Sequence, residues 1–181
     1  MTYLNDDIAN FDVLSALPRL SEQRREQTLR FKHELGRKTC AAAYLLLCEG
    51  LRREYGITEP PLLGYGEHGK PFIVGHPDIH FNISHCREAA ICVISDKPVG
   101  VDIESVREYK DSLARYTMND EELALINGSP LEFTKLWTMK EAVLKLAGTG
   151  LVNDMRGVLR GVSRLTTTVS PDERYVYTVA H

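Results

Sequence analysis

The sequence lacks the long apolar run that a membrane-spanning helix requires. Its longest uninterrupted apolar stretch, residues 40–48, has nine residues, less than half of the ~20 that cross a bilayer. The first ten residues carry two aspartates and no basic segment, unlike a secretory signal peptide. We therefore expect a cytoplasmic protein that has no membrane partner.

Cysteine pairs and several common catalytic motifs are also missing. The four cysteines, Cys40, Cys48, Cys86 and Cys92, form no C-x-x-C pair and lie in apolar segments. This placement predicts reduced, packed thiols rather than disulfides or a zinc site. The sequence contains no G-x-S-x-G elbow, P-loop or G-x-G-x-x-G fingerprint, so the enzyme classes that those motifs mark are not indicated.

A strong net charge is absent too, because 22 basic and 25 acidic residues leave a formal charge of −3. That balance argues against general nucleic-acid binding, which needs a broadly basic surface. The charges are unevenly distributed, however: residues 19–55 carry nine Lys or Arg against five Glu, and residues 102–122 carry three against seven acids. The two segments could hold phosphates and a cation respectively, or could be ordinary solvated helix faces.

Hydrophobic periodicity predicts both helices and strands. Helices are expected at 21–31, 34–55, 109–115, from Asn119 onward, and at 130–147, where Gly148 and Gly150 would end the last one. Strand-like runs at 79–84, 89–94 and 99–103 suggest an antiparallel meander, and a final hairpin is expected from 165–169 and 175–179. The sequence therefore predicts an α+β protein.

Two acidic residues stand two apart on one of the predicted strands. Asp102 and Glu104 would point to the same face, where two carboxylates repel each other unless a cation lies between them. A hard ion such as Mg²⁺ would meet that need. An exposed strand face, or pairing of one acid with Arg107, also explains the pattern and is the favoured interpretation of an isolated D-x-E.

Further polar residues lie on a helix, in a turn and at a strand end. Glu141 and Lys145 are four apart on the helix 130–147, a spacing typical of a surface ion pair but also open to a metal ligand or base and a phosphate ligand. Lys70 lies in a Gly-Lys-Pro turn, and Ser84 and His85 end a strand, positions that suit an anionic ligand. Singly, Lys70 and His85 are explained as a surface lysine and a hydrogen-bonded histidine.

The order of four motifs narrows these alternatives. GKP (69–71), FNISH (81–85), GVDIE (100–104) and WTMKEAVLK (137–145) follow one another in the chain. Together they resemble the 4′-phosphopantetheinyl transferase superfamily, in particular its larger single-chain, pseudo-dimeric type. The segment around Arg37 and Lys38 also resembles the N-terminal ligand-binding helix of that family.

The resemblance implies an enzyme that moves the 4′-phosphopantetheine arm of coenzyme A onto a serine of an apo acyl or peptidyl carrier protein and releases 3′,5′-ADP. It implies a Mg²⁺ held by Asp102, Glu104 and Glu141, with Glu141 and Lys145 as the catalytic residues. The residues that it assigns to coenzyme A are Arg37, Lys38, Lys70, Ser84, His85 and Lys145.

The family also implies the architecture. We expect an α+β fold of two similar halves, residues 1–97 and 98–181, each with a long helix packed on a small antiparallel sheet. The active site would occupy the cleft between the halves, and the pseudo-dimer would act as a monomer. Two alternative functions stay open: a Mg²⁺-dependent nucleotide pyrophosphohydrolase, and a coenzyme A-binding module without turnover.

Overall fold

Two three-stranded antiparallel sheets organise the chain. The computed structural model of the protein describes residues 1–150, 154–162 and 164–181. The first sheet, with its helices and a small hairpin, is built from the first 95 residues, and the second sheet from residue 100 onward. The α+β class predicted from the sequence is confirmed.

The first unit has its long helix against one sheet. In chain order its elements are β1 (Thr2–Asn5), α1 (Val13–Ala16), a 3₁₀ turn (Leu17–Arg19), α2 (Glu22–Arg30), α3 (Glu34–Tyr55), β2 (Leu63–Tyr65), β3 (Pro71–Ile73), β4 (His80–His85) and β5 (Ala90–Ser95). The sheet order is β1-β5-β4, and β2 and β3 form a separate two-stranded hairpin. Strand β1 was not predicted from the sequence.

The second unit repeats this arrangement with fewer elements. These are β6 (Gly100–Ser105), α4 (Asp111–Thr117), α5 (Asp120–Ile126), α6 (Pro130–Ala147), β7 (Leu165–Val169) and β8 (Tyr175–Ala180). The sheet order is β6-β8-β7. In both units the first strand lies at one edge, a long helix follows, and the last strand occupies the centre of the sheet.

Local sequence signals explain the ends of α6. The Ser129 side chain accepts a hydrogen bond from the backbone N–H of Glu132, and Pro130 occupies the first turn, where its missing N–H is not needed. Gly148 ends the helix in the left-handed conformation, with φ +68°. The predicted range of the helix is confirmed at both ends.

One part of the predicted topology is wrong. The three runs at 79–84, 89–94 and 99–103 do form strands, but they do not form a meander, because β6 pairs along all six residues with β8. Strand β8 is distant in sequence, so its pairing with β6 could not be recognised from the sequence. The segment after β5 is therefore a crossover to a second sheet instead of a hairpin turn.

Apolar packing joins the two sheets where backbone pairing does not. One core cluster contains Ile91 and Val93 from β5 together with Val101 and Ile103 from β6. A separate cluster fills the space between α3 and the first sheet, including Tyr44, which is fully buried. The shared cluster holds β6 close to the first unit.

The structure also describes the state of the cysteines and the character of the helices. All four cysteines are free, and three of them are buried, which confirms the prediction of packed thiols. Across the described ranges, the helices include none with both the length and the apolarity to cross a bilayer.

The close approach of β6 and α6 at Gly100 leads to a stability prediction. A Cβ atom at this position would overlap the backbone oxygen of Ala142 and the backbone nitrogen of Leu146. Because backbone atoms cannot rotate away, we expect Gly100→Ala to lower the free energy of unfolding by about 1–3 kcal/mol, measured by urea denaturation.

Gly157→Ala is the matched control, because a Cβ there meets no atom within 4 Å. This control should unfold at the same urea concentration as the wild type. An unchanged midpoint for Gly100→Ala would show that α6 can shift away from β6 freely.

Candidate active site between the two sheets

The candidate site is built around Asp102, in the middle of β6. This carboxylate is buried, with 4% of its surface exposed. Its Oδ1 accepts hydrogen bonds from Lys145 Nζ at 2.6 Å and from the Ser84 hydroxyl at 3.0 Å. Lys145 Nζ also donates to Ser84 Oγ at 2.9 Å. Three residues from β4, β6 and α6, each in a predicted motif, are thus brought together.

The contact between Lys145 and Asp102 decides between two sequence interpretations. Spacing alone favoured a surface pair between Glu141 and Lys145, but the lysine is placed in an ion pair with Asp102. The pair is only partly exposed, with 31% of the Lys145 side chain and 5% of the Asp102 side chain accessible. Lys145 is therefore directed toward the region between the sheets.

Two carboxylate oxygens in the site are buried without a hydrogen-bond partner. They are Asp102 Oδ2 and Glu141 Oε1, and they are the only such buried side-chain atoms found within the described residues. Unpaired buried carboxylate oxygens are unfavourable because they have lost water without gaining another donor. Both atoms are suited to a ligand that supplies positive charge.

Burial and the charge of Asp102 raise the pKa of both Glu104 and Glu141. The pKa of Glu104 is raised to about 7, chiefly by burial and secondly by the negative charge of Asp102, while the charges of Arg107 and Lys145 oppose the rise. Burial also raises the pKa of Glu141, with the charge of Asp102 as the second cause. Asp102 is the shared neighbour, so the three predicted acids lie in one electrostatic environment.

Their arrangement does not form a closed metal cage. Among the residues that the structure describes, no group of three or more His, Cys, Asp or Glu side chains is arranged to hold a metal ion. The ammonium of Lys145 lies against Asp102 Oδ1, on one side of this carboxylate. Metal binding by Asp102, Glu104 and Glu141 therefore stays a prediction.

A cavity of about 280 Å³ opens beside this cluster. Its walls come from the turn at 68–70 and the first residue of β3, from Asn82 and Ile83 of β4, and from α6 and the residues that follow it: Glu141, Leu144, Lys145, Gly148 and Gly150. Its volume is just below the ~300–1,000 Å³ of typical small-molecule sites. The cavity has walls from both units and is lined by one acidic and one basic residue of α6, Glu141 and Lys145.

Lys70 lines this cavity but is held by the protein itself. Its ammonium donates to the backbone oxygens of Leu146, at 3.0 Å, and Val99, at 3.3 Å. Burial lowers its pKa. Lys70 thus connects the first unit to the end of α6, where helix carbonyls lack partners in the helix and favour positive charge.

Arg37 and Lys38 have local partners on the first unit. Arg37 donates to the backbone oxygen of Phe31 at 2.8 Å, and Lys38 donates to that of Ala9 at 2.7 Å and pairs with Glu34 at 3.2 Å. Neither side chain lines the cavity beside Glu141, as far as the described residues show. Their predicted contact with coenzyme A stays a prediction.

His85 lies at the end of β4 and is exposed. Partial desolvation by the surrounding protein lowers its pKa, and the charges of Lys145 and Arg24 lower it further. Burial and these two charges favour the neutral form of His85, while a backbone hydrogen bond and the charge of Asp102 oppose them. Such a grouping of basic side chains is suited to an anionic ligand.

Arg24, on α2, was not singled out by sequence reasoning. It is buried, with 7% of its surface exposed, and its guanidinium lies 5.0 Å from the centre of the Tyr44 ring. Its guanidinium donates a hydrogen bond to Cys40 Sγ at 3.7 Å. Within the described ranges no ion pair includes Arg24. The run of basic residues in α2 did not indicate that one of them is buried without an acidic partner.

The raised pKa of Glu104 predicts how stability depends on pH. The folded protein keeps a proton on Glu104 up to about pH 7, whereas an ordinary Glu loses it near 4.5. The folded state therefore binds more protons in this window, so this residue makes the free energy of unfolding fall as pH rises from 4.5 to about 7. Glu104→Gln should remove this contribution and be more stable than the wild type above pH 7.

Carbon-13 NMR of the carboxyl groups tests the cause directly. In the wild type the Glu104 signal should titrate with a midpoint near 7, against an ordinary value of 4.5. Asp102→Asn removes the nearby negative charge and should lower this midpoint. A midpoint near 4.5 in the wild type would contradict the prediction.

Comparison with known protein families adds to this description of the fold and the site. Residues 98–175 match the family model of the 4′-phosphopantetheinyl transferase superfamily. The superfamily predicted from the four motifs is confirmed.

Particular relatives carry the same description. The chain is 32% identical over 139 residues to a 4′-phosphopantetheinyl transferase of Bacillus subtilis, a match that covers 73% of this chain and 62% of the relative. It is 38% identical over 117 residues to the 4′-phosphopantetheinyl transferase gsp of Aneurinibacillus migulanus, covering 59% and 48%. It is 27% identical over 175 residues to the 4′-phosphopantetheinyl transferase psf-1 of Bacillus pumilus, covering 93% and 72%.

Each alignment covers a larger share of this chain than of the relative. The chain spans 62% of the first of these relatives and 48% of the second. Each of the three matches extends beyond what the second unit alone could supply, since the second unit is shorter than 117 residues.

Proposed function

We propose that the chain transfers the 4′-phosphopantetheine arm of coenzyme A to a serine hydroxyl of an acyl or peptidyl carrier protein. The observation that carries this proposal is the contact of Lys145 and Ser84 with Asp102 beside a cavity that Glu141 also lines. The family match at 98–175 covers Asp102, Glu141 and Lys145.

In the proposed reaction, the serine oxygen attacks the phosphorus that carries the pantetheine arm. A new oxygen–phosphorus bond forms, the pyrophosphate bond breaks, and 3′,5′-ADP leaves. The serine proton passes to Glu141, directly or through a water molecule. Burial and the charge of Asp102 raise the pKa of Glu141, which makes it a stronger base than an exposed glutamate.

Lys145 would reduce repulsion between the anionic donor and the nucleophile. Its ammonium lies at the cavity wall and is partly exposed, so it can contact a phosphate while remaining near Asp102. Arg24 and His85 form a second basic group, in which Arg24 is buried. We assign this group to the phosphates of the nucleotide, together with the predicted residues Lys70, Ser84, Arg37 and Lys38.

The acidic cluster is suited to Mg²⁺ by its donor chemistry. Asp102 Oδ2 and Glu141 Oε1 are buried without partners, and the pKa of Glu104 is raised partly by the negative charge of Asp102. Asp102, Glu104 and Glu141 would hold the ion, which when bound would neutralise phosphate charge. All three supply oxygen atoms, the ligands that Mg²⁺ prefers.

We propose that the chain is a pseudo-dimer whose active site lies between the halves. Residues 1–97 and 98–181 would be the two halves, an assignment supported by the matching strand orders β1-β5-β4 and β6-β8-β7. Coenzyme A would bind in the cleft that includes the 280 Å³ cavity. The monomeric state and the cytoplasmic location remain predictions.

Mass spectrometry of an apo carrier protein tests the function. The purified chain is incubated with coenzyme A, Mg²⁺ and the carrier, and the carrier should gain the mass of one phosphopantetheine arm as 3′,5′-ADP appears. A carrier whose acceptor serine is replaced by alanine is the control and should gain nothing.

Two other outcomes would replace the proposal. Breakdown of coenzyme A without a carrier would indicate a pyrophosphohydrolase. Binding of coenzyme A without either reaction, across a panel of carriers, would indicate a binding module.

A further inference from the structure

Strands β4 and β6 lie side by side as the facing edges of two different sheets. Each is hydrogen-bonded through its backbone to only one neighbour, β5 and β8 respectively. Alternate backbone N–H groups of an antiparallel strand point to opposite sides. The N–H groups of β6 that point away from β8 therefore need partners from elsewhere.

Two side chains of β4 supply those partners. Asn82 Oδ1 accepts from the backbone N–H of Val101 at 3.0 Å, and Ser84 Oγ accepts from that of Ile103 at 3.3 Å. Residues two apart on a strand face the same side, so Asn82 and Ser84 match the spacing of the two amides. We refer to these two hydrogen bonds as the side-chain ladder.

The side-chain ladder is enclosed by protein. Asn82 and Ser84 are 4% and 8% exposed, and Val101 and Ile103 are fully buried. An amide that loses its acceptor at such a place has no water to replace it, which is the most unfavourable way to lose a hydrogen bond. The ladder therefore resists sliding or separation of the two strands.

Asp102 lies between the two amides of the ladder. The Gly100–Val101 peptide, one residue before Asp102, is held by Asn82, and the Asp102–Ile103 peptide, directly after it, is held by Ser84. Ser84 in addition donates directly to Asp102 Oδ1. The ladder thus holds the backbone that carries Asp102 in a fixed position relative to β4 of the first unit.

We infer that Asn82 is a positioning residue that sets the place of Asp102 relative to the first unit. Asn82 acts through the backbone of Val101, whereas Ser84 also touches the acid itself. This inference rests on the proposed function only for its effect on catalysis, because the hydrogen bonds themselves are independent of any reaction.

The test compares Asn82→Ala with Asn82→Asp. Alanine removes the oxygen that accepts from the Val101 N–H, whereas aspartate keeps an acceptor oxygen at the same distance along the side chain. In Asn82→Ala, kcat should fall by about 10²-fold, the effect of misplacing a reacting group by ~1 Å, and the Val101 amide should exchange with deuterium faster than in the wild type.

Asn82→Asp should retain slow exchange at Val101 and a kcat close to that of the wild type. Because Asn82 also lines the cavity, the added negative charge should raise the KM for coenzyme A instead. A general loss of stability would not separate kcat from KM in this way.

Asn5→Ala is the matched control. Asn5 Oδ1 also accepts from a backbone N–H, that of Asp7, at 2.9 Å, but it lies outside the ladder. Its removal should change neither kcat nor the exchange of the Val101 amide.

Three results would overturn the inference. The first is wild-type kcat in folded Asn82→Ala. The second is a loss of kcat in Asn82→Asp while the Val101 amide stays protected. The third is unchanged exchange at Val101 in Asn82→Ala. If the wild-type chain shows no transfer, the proposed function fails, and amide exchange alone then decides whether the ladder exists.

Discussion

Glu141→Gln is expected to lower the rate of the proposed transfer by about 10²–10⁴-fold, the usual contribution of a general base, without lowering the melting temperature. Glutamine keeps the shape of the side chain but cannot accept the serine proton. The raised pKa of Glu141 shows that its charged form is held unfavourably by burial and by Asp102. Removing the charge should therefore leave the fold equally stable or more stable.

The experiment measures kcat, KM and thermal unfolding for Glu141→Gln and Glu132→Gln. Glu132 is the matched control, because it lies in the first turn of the same helix and forms a partly exposed ion pair with Lys135. The control should retain wild-type turnover. Wild-type turnover in Glu141→Gln would remove Glu141 from the proposed mechanism.

Asp102 is a less suitable position for this comparison. Its carboxylate pairs with Lys145 and accepts a hydrogen bond from Ser84, so Asp102→Ala would remove structural contacts together with any catalytic role. The sequence predicts that both Asp102→Ala and Glu141→Ala abolish activity and leave the fold intact. The structure separates them. Both acids have a buried oxygen without a partner, but Asp102 also has hydrogen bonds to lose, whereas the Glu141 side chain makes none within the described residues.

Much of the local structure could be predicted because its causes are local. The N-cap at Ser129, Pro130 in the first turn and Gly148 at the end define α6 from a few neighbouring residues. The alternation of β4 and β6 likewise indicated strands. Asp102, Ser84 and Lys145 could be selected because they occur in motifs of recognisable order.

The pairing between distant segments could not be predicted in the same way. Whether β6 pairs with β5 or with β8 depends on the three-dimensional packing of the whole chain, and the residues that pair between β6 and β8 are 70 to 80 positions apart. The role of Asn82 depends on that outcome, because its side chain replaces a backbone partner that β6 lacks. Arg24 was overlooked for a related reason, since burial of a charged residue on a polar helix has no sequence pattern.

Lys140 is a further case in which the sequence misleads. A lysine beside Glu141 on a helix suggests an exposed position, yet its side chain is fully buried. Its ammonium donates to Glu122 Oε2 at 2.7 Å and to the backbone oxygens of Thr117 at 3.1 Å and Met155 at 2.8 Å. The three N–H groups of one lysine thus join α6 to α4, to α5 and to the segment after residue 153.

Lys140→Met is expected to destabilise the protein by about 3–5 kcal/mol, because it leaves the carboxylate of Glu122 buried without its cation. For a chain of this length, that loss corresponds to a fall in melting temperature of roughly 6–20 °C. Methionine has a similar volume and no charge, so cavity formation contributes little. Urea denaturation and calorimetry measure the effect.

Lys135→Met, on the same helix, is the control for loss of a lysine. Its pair with Glu132 is more exposed, at 28% and 43%, and an ion pair of that kind contributes less than about 1 kcal/mol. The double variant Lys140→Met with Glu122→Met removes the unpaired charge and should recover part of the stability. The carbonyls of Thr117 and Met155 would still lack their donor, and the cap that Glu122 Oε2 forms with the N–H of Asn119 would be lost, so recovery should be incomplete. Equal stability of Lys140→Met and Lys135→Met would show that the Glu122 carboxylate finds another partner or water when the lysine is removed.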